Sequence, residues 1–364
     1  MTFLRVGPTP DDRLPWGRQL RRVAEMLATP LVPDDYLDLL DPLSAGGTLR
    51  GRVLAVHPEA ADSATLVIRP GRDWRGHRPG QYVRVGVDVD GVRHSRAYSL
   101  TSRTDDALIA ITVKAMPDGV VSNQLVHHTR PGTHLVLDQA AGEFTWSVSR
   151  PGRVLFLTGG SGITPAMGMI RNHLDEFTDA VLVHSAPSAE EVVFGDELRA
   201  LHDDGRVRLV ERHTATEGLL ALDQLDRLVP DWRDRTSYVC GPVGLMDAAQ
   251  QHWDAAGLAD RLHSERFRPR IMINEGDGGT AEFTRSGVRA VTTGETAVLD
   301  AGEQAGVLMR SGCRMGICFG CVTPLQSGSV RDLRNGDLTT AADGDPVNIQ
   351  TCVSTPVGPC QIDA

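Results

Sequence analysis

The chain has 364 residues, more than the roughly 100 to 200 of one ordinary domain, so two or three domains are expected. Hydrophobic residues make up 41% and charged residues 23%, values of a folded globular protein that exclude a mainly disordered chain. Lys and Arg number 37 against 47 Asp and Glu, a net charge of −10. Because phosphate binding needs a basic surface, nucleic acid is not expected as a partner.

The apolar stretches and the cysteines indicate the cellular compartment of the protein. It has no run of about 18 apolar residues and no secretory pattern at its start, which predicts a cytoplasmic protein without a transmembrane segment. Six cysteines in such a chain favour metal ligands or free thiols over a disulfide framework.

Residues 1–48 form an N-terminal extension. Four apolar residues recur there at helical spacing, with arginines off that stripe, and predict a short amphipathic helix: Trp16, Leu20, Val23 and Leu27. We expect this helix to pack on the first domain. The alternative is peripheral contact with a membrane or a membrane-bound partner, which a basic amphipathic helix also makes.

Residues 49–149 have the pattern of a small antiparallel β-barrel. Six short alternating runs are separated by turns: RGRVLAVHP, ATLVIRPG, GQYVRVGVDVDG, SRAYSLTS, ALIAITVKA and GTHLVLDQ. Strands at this spacing are typical of barrels in which one face of the sheet is buried.

Residues 150–269 change to the pattern of a parallel α/β sheet. Four buried strands alternate with helix-length segments such as TPAMGMIRNHLDEF and GLMDAAQQHWDAAG: RVLFLTGG, AVLVHSA, RVRLVERH and TSYVCGP. A Gly-rich linker, residues 270–279, then leads to a third domain, residues 280–364, in which short strands surround a cysteine loop. The predicted fold is therefore multidomain, with an antiparallel barrel, a parallel α/β sheet and a small β domain.

The cysteine loop is the most specific feature of the third domain. Cys313, Cys318, Cys321 and Cys352 are separated by four, two and 30 residues, the spacing of plant-type 2Fe-2S ferredoxins. Glycines between them let the backbone approach the sulfurs, and inward N–H dipoles stabilise an anionic cluster. A structural zinc or disulfides are the alternatives, but zinc sites usually carry two CxxC pairs. Residues 280–364 thus resemble plant-type ferredoxin domains, which implies a β-grasp-like fold.

Two turns of the α/β domain have the form of a nucleotide site. One lies between a buried strand and a helix and exposes N–H groups to phosphate, and the other ends a later strand at the ligand-binding edge of the sheet. The residues are Gly159, Gly160, Ser161, Gly162 and Thr164 in the first turn and Cys240, Gly241 and Pro242 in the second. Tight packing without a ligand is the alternative for the first turn.

Together the two turns resemble the pyridine-nucleotide domain of the ferredoxin-NADP reductase superfamily. The resemblance implies that the first turn holds the diphosphate and that Cys240 lies beside the nicotinamide; a buried, unreactive Cys240 is the alternative. Glu265 and Phe267 in HSERFRP occupy positions where relatives approach the flavin. A solvated Glu265 beside a packing Phe267 is the other interpretation.

The barrel carries the flavin motif of the same superfamily in SRAYSLTS. Arg96 and Tyr98 lie on one face of a strand, and Ser99 lies on the other face or at its end. A guanidinium pairs with a diphosphate, a tyrosine ring stacks on the isoalloxazine, and a hydroxyl bonds the edge of that ring. The resemblance therefore implies flavin binding by these residues, with Tyr98, Ser99 and Cys240 nearest the reaction.

A second flavin-phosphate loop follows the fifth predicted strand. The resemblance assigns to it Lys114, Gly119, Val120, Val121 and Ser122. The presence of this loop favours FAD over FMN.

The three modules together predict an NAD(P)H-dependent electron-transfer reductase. NAD(P)H releases two electrons as a hydride, one 2Fe-2S cluster takes a single electron, and a flavin between them splits the pair. Plant-type clusters lie near about −400 mV, which suits delivery to a separate oxygen-activating iron protein. The stretch TPLVPDDYLDLLDPL resembles that of actinobacterial reductases paired with acyl-CoA desaturases. It favours a fatty acyl desaturase as acceptor over a P450, Rieske or diiron oxygenase.

The choice of nucleotide is weakly marked. The loop PSAEEVVF after the second strand of the α/β domain has acids and no arginine, whereas Ser185 and Arg212 offer a hydroxyl and a cation to a 2′-phosphate. The resemblance favours NADPH, and NADH stays open. Two other functions are a small-molecule flavoreductase or diaphorase and a non-enzymatic redox sensor.

Overall fold

The structure, a computed structural model, describes residues 43, 48–60, 62–89, 91–117, 119–146, 152–267, 278–316 and 319–364. The predicted N-terminal helix lies outside the described residues, and so do Cys318, residues 270–277 of the predicted linker and the predicted boundary at residues 149 and 150. The domain boundaries stay predictions.

The first sheet is the predicted antiparallel barrel. Its strands are β1 (Arg50–Ala60), β2 (Ser63–Pro70), β3 (Tyr82–Val89), β4 (Val92–Ser99), β5 (Ile109–Lys114) and β6 (His134–Leu137). They pair in the order β4-β3-β6-β1-β2-β5, and a short helix, α1 (Val120–Asn123), follows β5. Alternate apolar side chains such as Val85 and Ile111 form one buried core, because successive side chains of a strand point to opposite faces.

The second sheet is parallel. Its strands are β7 (Gly152–Gly159), β8 (Phe177–Ala186), β9 (Arg208–His213), β10 (Thr236–Cys240) and β11 (Leu262–Glu265), in the order β11-β10-β7-β8-β9. The helices are α2 (Ile163–His173), α3 (Gly195–Asp203), α4 (Thr214–Glu217), α5 (Leu225–Leu228) and α6 (Val243–Ala255). Separate apolar cores form around Phe156 and around Leu157, neighbouring residues of β7, so this strand is buried on both faces as parallel strands are.

Two features of the parallel sheet differ from the sequence prediction. β11 is a fifth strand, and its sequence LHSE has only one apolar residue, too little for an alternation signal. The helix expected to run to Phe177 ends at His173, where the N–H of Glu176 bonds the carbonyl of His173 in a turn, and Phe177 begins β8.

The third sheet is mixed. Its strands are β12 (Gly278–Phe283), β13 (Val288–Thr293), β14 (Val322–Asp332), β15 (Leu338–Ala341), β16 (Val347–Gln350) and β17 (Ser354–Ile362), with one helix, α7 (Val298–Gln304). β12 and β17 are parallel neighbours in the order β13-β12-β17-β14-β15, and β16 pairs with β14. Val298 and Leu299 of α7 pack into the core against the sheet. This is the β-grasp-like arrangement expected, and the predicted fold class is confirmed.

Candidate functional site

The flavin motif lies at the end of β4 as predicted. Ser99 is 2% exposed, and its Oγ has no hydrogen-bond partner among the described residues. Burial raises the pKa of Tyr98 well above its ordinary value of 10.0, so its phenol stays protonated, and Arg96 opposes this effect. A buried hydroxyl that lacks a partner costs free energy, and a polar group bound against β4 would satisfy it. The residues therefore fit a flavin.

The second predicted flavin loop is shaped by its own side chains. Ser122 Oγ donates to the carbonyl of Gly119 at 3.1 Å and accepts from the N–H of Met116 at 3.1 Å. Val121 is buried and Val120 is 44% exposed. Lys114 ends β5 with its Nζ 3.8 Å from a carboxylate oxygen of Glu191. The structure thus gives Ser122 a role inside the loop, and phosphate contact by these residues stays a prediction.

The first nucleotide turn, residues 159–164, begins where β7 ends. Gly160 has φ 53°, which L residues adopt at a cost, and Thr164 Oγ1 donates to the carbonyl of Ser161 at 2.9 Å. A Cβ on Gly162 would lie 2.2 Å from the carbonyl oxygen of Cys240. The turn therefore packs directly on the second nucleotide turn, residues 240–242.

β10 and β11 bring a buried thiol and a half-buried carboxyl to this edge. Cys240 is 1% exposed, and burial raises the pKa of its thiol well above 9.0. Glu265 is its register partner on β11, and burial raises the pKa of that carboxyl to about 8. Glu265 Oε2 has no hydrogen-bond partner in the described part of the chain. Both groups are therefore neutral near pH 7, which suits a site beside an uncharged ring. Contact with nicotinamide or flavin stays a prediction.

His184 of β8 is a buried residue that the sequence analysis missed. It is 1% exposed, and its Nδ1 lies 2.8 Å from Thr158 Oγ1, on the strand that leads into the first nucleotide turn. Burial lowers the pKa of His184 to about 4, so the ring is neutral at physiological pH. The signal was a lone histidine in the apolar run AVLVHSA.

The candidate contacts for a 2′-phosphate differ in their surroundings. Ser185 Oγ is buried and has no partner among the described residues. The guanidinium of Arg212 is engaged, because Nε donates to the carbonyl of Gly218 at 3.0 Å and Nη1 to Glu217 Oε2 at 3.3 Å. A phosphate would have to displace these bonds.

The cysteine loop draws buried thiols together. Cys321 Sγ lies 3.2 Å from Cys352 Sγ, and the N–H of Met315 donates to Cys313 Sγ at 3.3 Å. Hydrogen bonding to Cys321, followed by burial, raises the pKa of Cys352. Because metal ions deprotonate coordinating thiols, the paired thiols of Cys321 and Cys352 fit two ligand positions of a cationic iron pair. Cys318 lies outside the described residues.

Two residues that the sequence analysis missed brace this loop. Arg334 Nη1 and Gln350 Nε2 both donate to the carbonyl of Gly316, at 2.8 Å and 2.9 Å. Arg334 Nη2 also donates to Gln350 Oε1 at 3.0 Å and forms an ion pair with Asp332. In the sequence, the one indication of these hydrogen bonds was that Gln350 lies two residues before Cys352.

Three family models match the chain in the order of its sheets. They are the oxidoreductase FAD-binding domain over residues 61–146, the oxidoreductase NAD-binding domain over residues 156–251 and the 2Fe-2S iron-sulfur cluster binding domain over residues 283–357. The predicted cofactors, FAD, NAD(P)H and a 2Fe-2S cluster, are confirmed at this level.

Curated relatives are similar over most of their length. A Mycobacterium tuberculosis protein named NADPH oxidoreductase is 45% identical over 97% of this chain and 94% of its own. A glycine betaine monooxygenase reductase subunit from Chromohalobacter salexigens is 30% identical over 77% of this chain and 85% of its own. Among solved structures, phthalate dioxygenase reductase has a TM-score of 0.60 at 23% identity, covering 87% of this chain and 98% of its own, and shares the fold.

Proposed function

The chain belongs to the family of oxidoreductases that join FAD-binding, NAD-binding and 2Fe-2S domains, and we propose that it is the reductase component serving an oxygen-activating iron enzyme. One observation carries this proposal: the three domains occur in one polypeptide, in this order. When bound, FAD would supply the conversion of a two-electron hydride into single electrons, and the cluster would relay them. A flavoreductase for small molecules would need no cluster domain, and a redox sensor would need neither nucleotide turn.

The residues of this chain bind and orient the groups that react. The N–H groups of the first nucleotide turn would hold a diphosphate at the start of α2, where the helix dipole favours negative charge. Ser99 would bond the flavin ring edge, Tyr98 would stack on the ring and Arg96 would pair with the flavin phosphates. Cys240 and Glu265 would supply a neutral surface that keeps water from the hydride path.

The acceptor proposed first is a fatty acyl desaturase. Its support is the N-terminal stretch TPLVPDDYLDLLDPL, which resembles that of actinobacterial reductases paired with acyl-CoA desaturases. A monooxygenase is the second candidate, because relatives are named as reductase subunits of glycine betaine and 3-ketosteroid monooxygenases.

The proposed location is cytoplasmic, since thiol ligands stay reduced there. None of the helices in the described part of the chain combines the length and the hydropathy that a membrane span requires. Peripheral contact with a membrane-bound desaturase belongs to the same proposal.

NADPH is the proposed electron donor. Its support is the name of the relative at 45% identity and the buried Oγ of Ser185, which has no hydrogen-bond partner within the described ranges. The acids of the loop PSAEEVVF and the hydrogen bonds that Arg212 already makes favour NADH. Comparing kcat/KM for NADPH and NADH decides between them.

Reconstitution with acceptors tests the proposed function. Purified reductase, NADPH and a desaturase or monooxygenase from the same organism should support oxygen-dependent product formation, and Cys352→Ser should abolish it while flavin reduction continues. If cytochrome c and dyes are reduced equally well by Cys352→Ser and no partner enzyme is supported, the chain is a flavoreductase.

A further inference from the structure

Residues 100–104, the connector, follow β4 directly, begin the link from β4 to β5 and pack on helix α2. Leu100 and Thr101 are 0% exposed, so the connector is packed rather than looped into solvent. A Cβ on Gly168, in the middle of α2, would lie 2.5 Å from the carbonyl oxygen of Leu100. The helix and the connector therefore touch at backbone distance.

The Asn172 side chain hydrogen-bonds the connector through both its amide nitrogen and its amide oxygen. Its Nδ2 donates to the carbonyls of Ser102 at 3.0 Å and Gly168 at 2.8 Å, and its Oδ1 accepts from the N–H of Thr104 at 2.8 Å and from its hydroxyl at 3.1 Å. These four bonds use every donor and acceptor that an amide side chain offers in one plane.

Arg171 makes a second bridge from the same helix end. Its Nη1 donates to the carbonyl of Thr101 at 2.7 Å, and Nε donates to Glu197 Oε1 of α3 at 2.9 Å. The guanidinium also lies 4.7 Å from the centroid of the Phe194 ring. A guanidinium held on three sides has little freedom, so the connector is anchored to α2 and α3 together.

α2 thus joins two parts of the reaction site. It begins at Ile163, inside the first nucleotide turn, and ends at His173, beside the connector. Ser99 ends β4 and immediately precedes the connector. An 11-residue helix is a rigid rod of about 16 Å. Any shift of the connector on α2 therefore changes the distance between the flavin strand and the nucleotide turn.

We propose that Asn172 and Arg171 are positioning residues for hydride transfer. In that reaction a hydride, one proton with two electrons, leaves C4 of the nicotinamide, which is oxidised, and reaches the flavin, which is reduced. Hydride transfer requires the reacting atoms to be aligned closely, and a misplacement of about 1 Å costs about 100-fold in rate. Asn172 and Arg171 touch neither reacting group and act by holding β4 and the first nucleotide turn in register. This inference rests on the proposed function.

Stopped-flow reduction of the flavin in the full-length protein tests the inference. Asn172→Ala removes the four bonds, and Gly168→Ala pushes the connector from the helix by a different route. Each should lower the limiting rate of flavin reduction about tenfold or more, with the nucleotide Kd and the flavin content unchanged. The lowered rate of flavin reduction should show a full primary isotope effect with C4-deuterated NADPH, because the hydride step itself is slowed.

Gln250→Ala is the matched control, since this amide bonds Asp254 within its own helix, α6. It should leave the rate unchanged. The positioning role would be overturned if flavin-loaded Asn172→Ala or Gly168→Ala reduced its flavin at a limiting rate within twofold of the parent. If one of these variants does not hold flavin, the other variant decides. A parent protein whose flavin is not reduced by NADPH or NADH would instead contradict the proposed function.

Discussion

Among the single residues of the site, Glu265 has a protonation state that the sequence did not indicate. A carboxyl taken out of water favours its neutral form, and burial raises the pKa of Glu265 to about 8. Its register partner Cys240 is also neutral. The pair differs from a catalytic thiolate and its base, because burial holds the protons on both groups.

The pKa of Glu265 predicts a specific pH dependence of stability. Its folded-state pKa of about 8 exceeds the ordinary value of 4.5, so between these values the folded state binds more protons than the unfolded state. The free energy of unfolding therefore falls as pH rises through this range. Glu265→Gln should remove this fall and be more stable than the parent at pH 9 by about 1 to 3 kcal/mol, with no such gain at pH 4.5.

Denaturant titrations of both proteins at pH 4.5, 7 and 9 check the prediction. Glu176→Gln is a suitable control, because this carboxylate lies beside His173 near the surface with its side chain 55% exposed. If the free energy of unfolding changes with pH in the same way for the parent and for Glu265→Gln, the pKa of Glu265 is not raised and the prediction is wrong.

The two nucleotide turns depend on each other for their packing. The closest approach is at Gly162, where any side chain would meet the backbone of Cys240 rather than a movable group. Gly241 approaches the N–H of Gly159 in the same way, with 2.9 Å to an added Cβ. Two glycines thus let the ends of β7 and β10 form one surface.

Gly162→Ala should separate the two turns. The clash with the Cys240 carbonyl forces a backbone shift, and we expect a loss of about 1 to 3 kcal/mol in stability together with weaker NADPH binding. Gly244→Ala, on α6, is the matched control, since an added Cβ there meets no described atom within 4 Å. Thermal unfolding and nucleotide titration measure both effects. Equal behaviour of the two variants would refute the packing argument.

The cysteine loop depends on a second pair of elements, the turn after β14 and the end of β16. Arg334→Ala removes a donor to the Gly316 carbonyl and a cation near Cys321 and Cys352. We therefore expect faster cluster loss in air and a more negative reduction potential, because a nearby cation stabilises added electrons.

Spectroscopy of the cluster and a redox titration measure these two effects. Arg289→Ala is the control, since this exposed arginine pairs with Glu282 on β12, away from the loop. An unchanged potential in Arg334→Ala would place Arg334 in a purely structural role.

At the scale of the whole molecule, the sequence predicted what depends on local pattern. Alternating apolar residues marked the strands of the barrel, and apolar runs marked β7, β8 and β10, because burial imposes those periods. It could not predict β11, whose place depends on pairing with β10. Contacts made across sequence distance, such as Arg334 with Gly316 and Asn172 with Ser102, leave no periodic trace. Motif spacing located the cysteines but not the groups that brace them.

We expect electrons to pass from NADPH through the flavin to the cluster within one chain. Anaerobic stopped-flow spectra after mixing the full-length protein with NADPH follow the flavin and the cluster at separate wavelengths. The flavin should be reduced first and the cluster should bleach afterwards, without added acceptor. Flavin reduction with a cluster that never bleaches would contradict it.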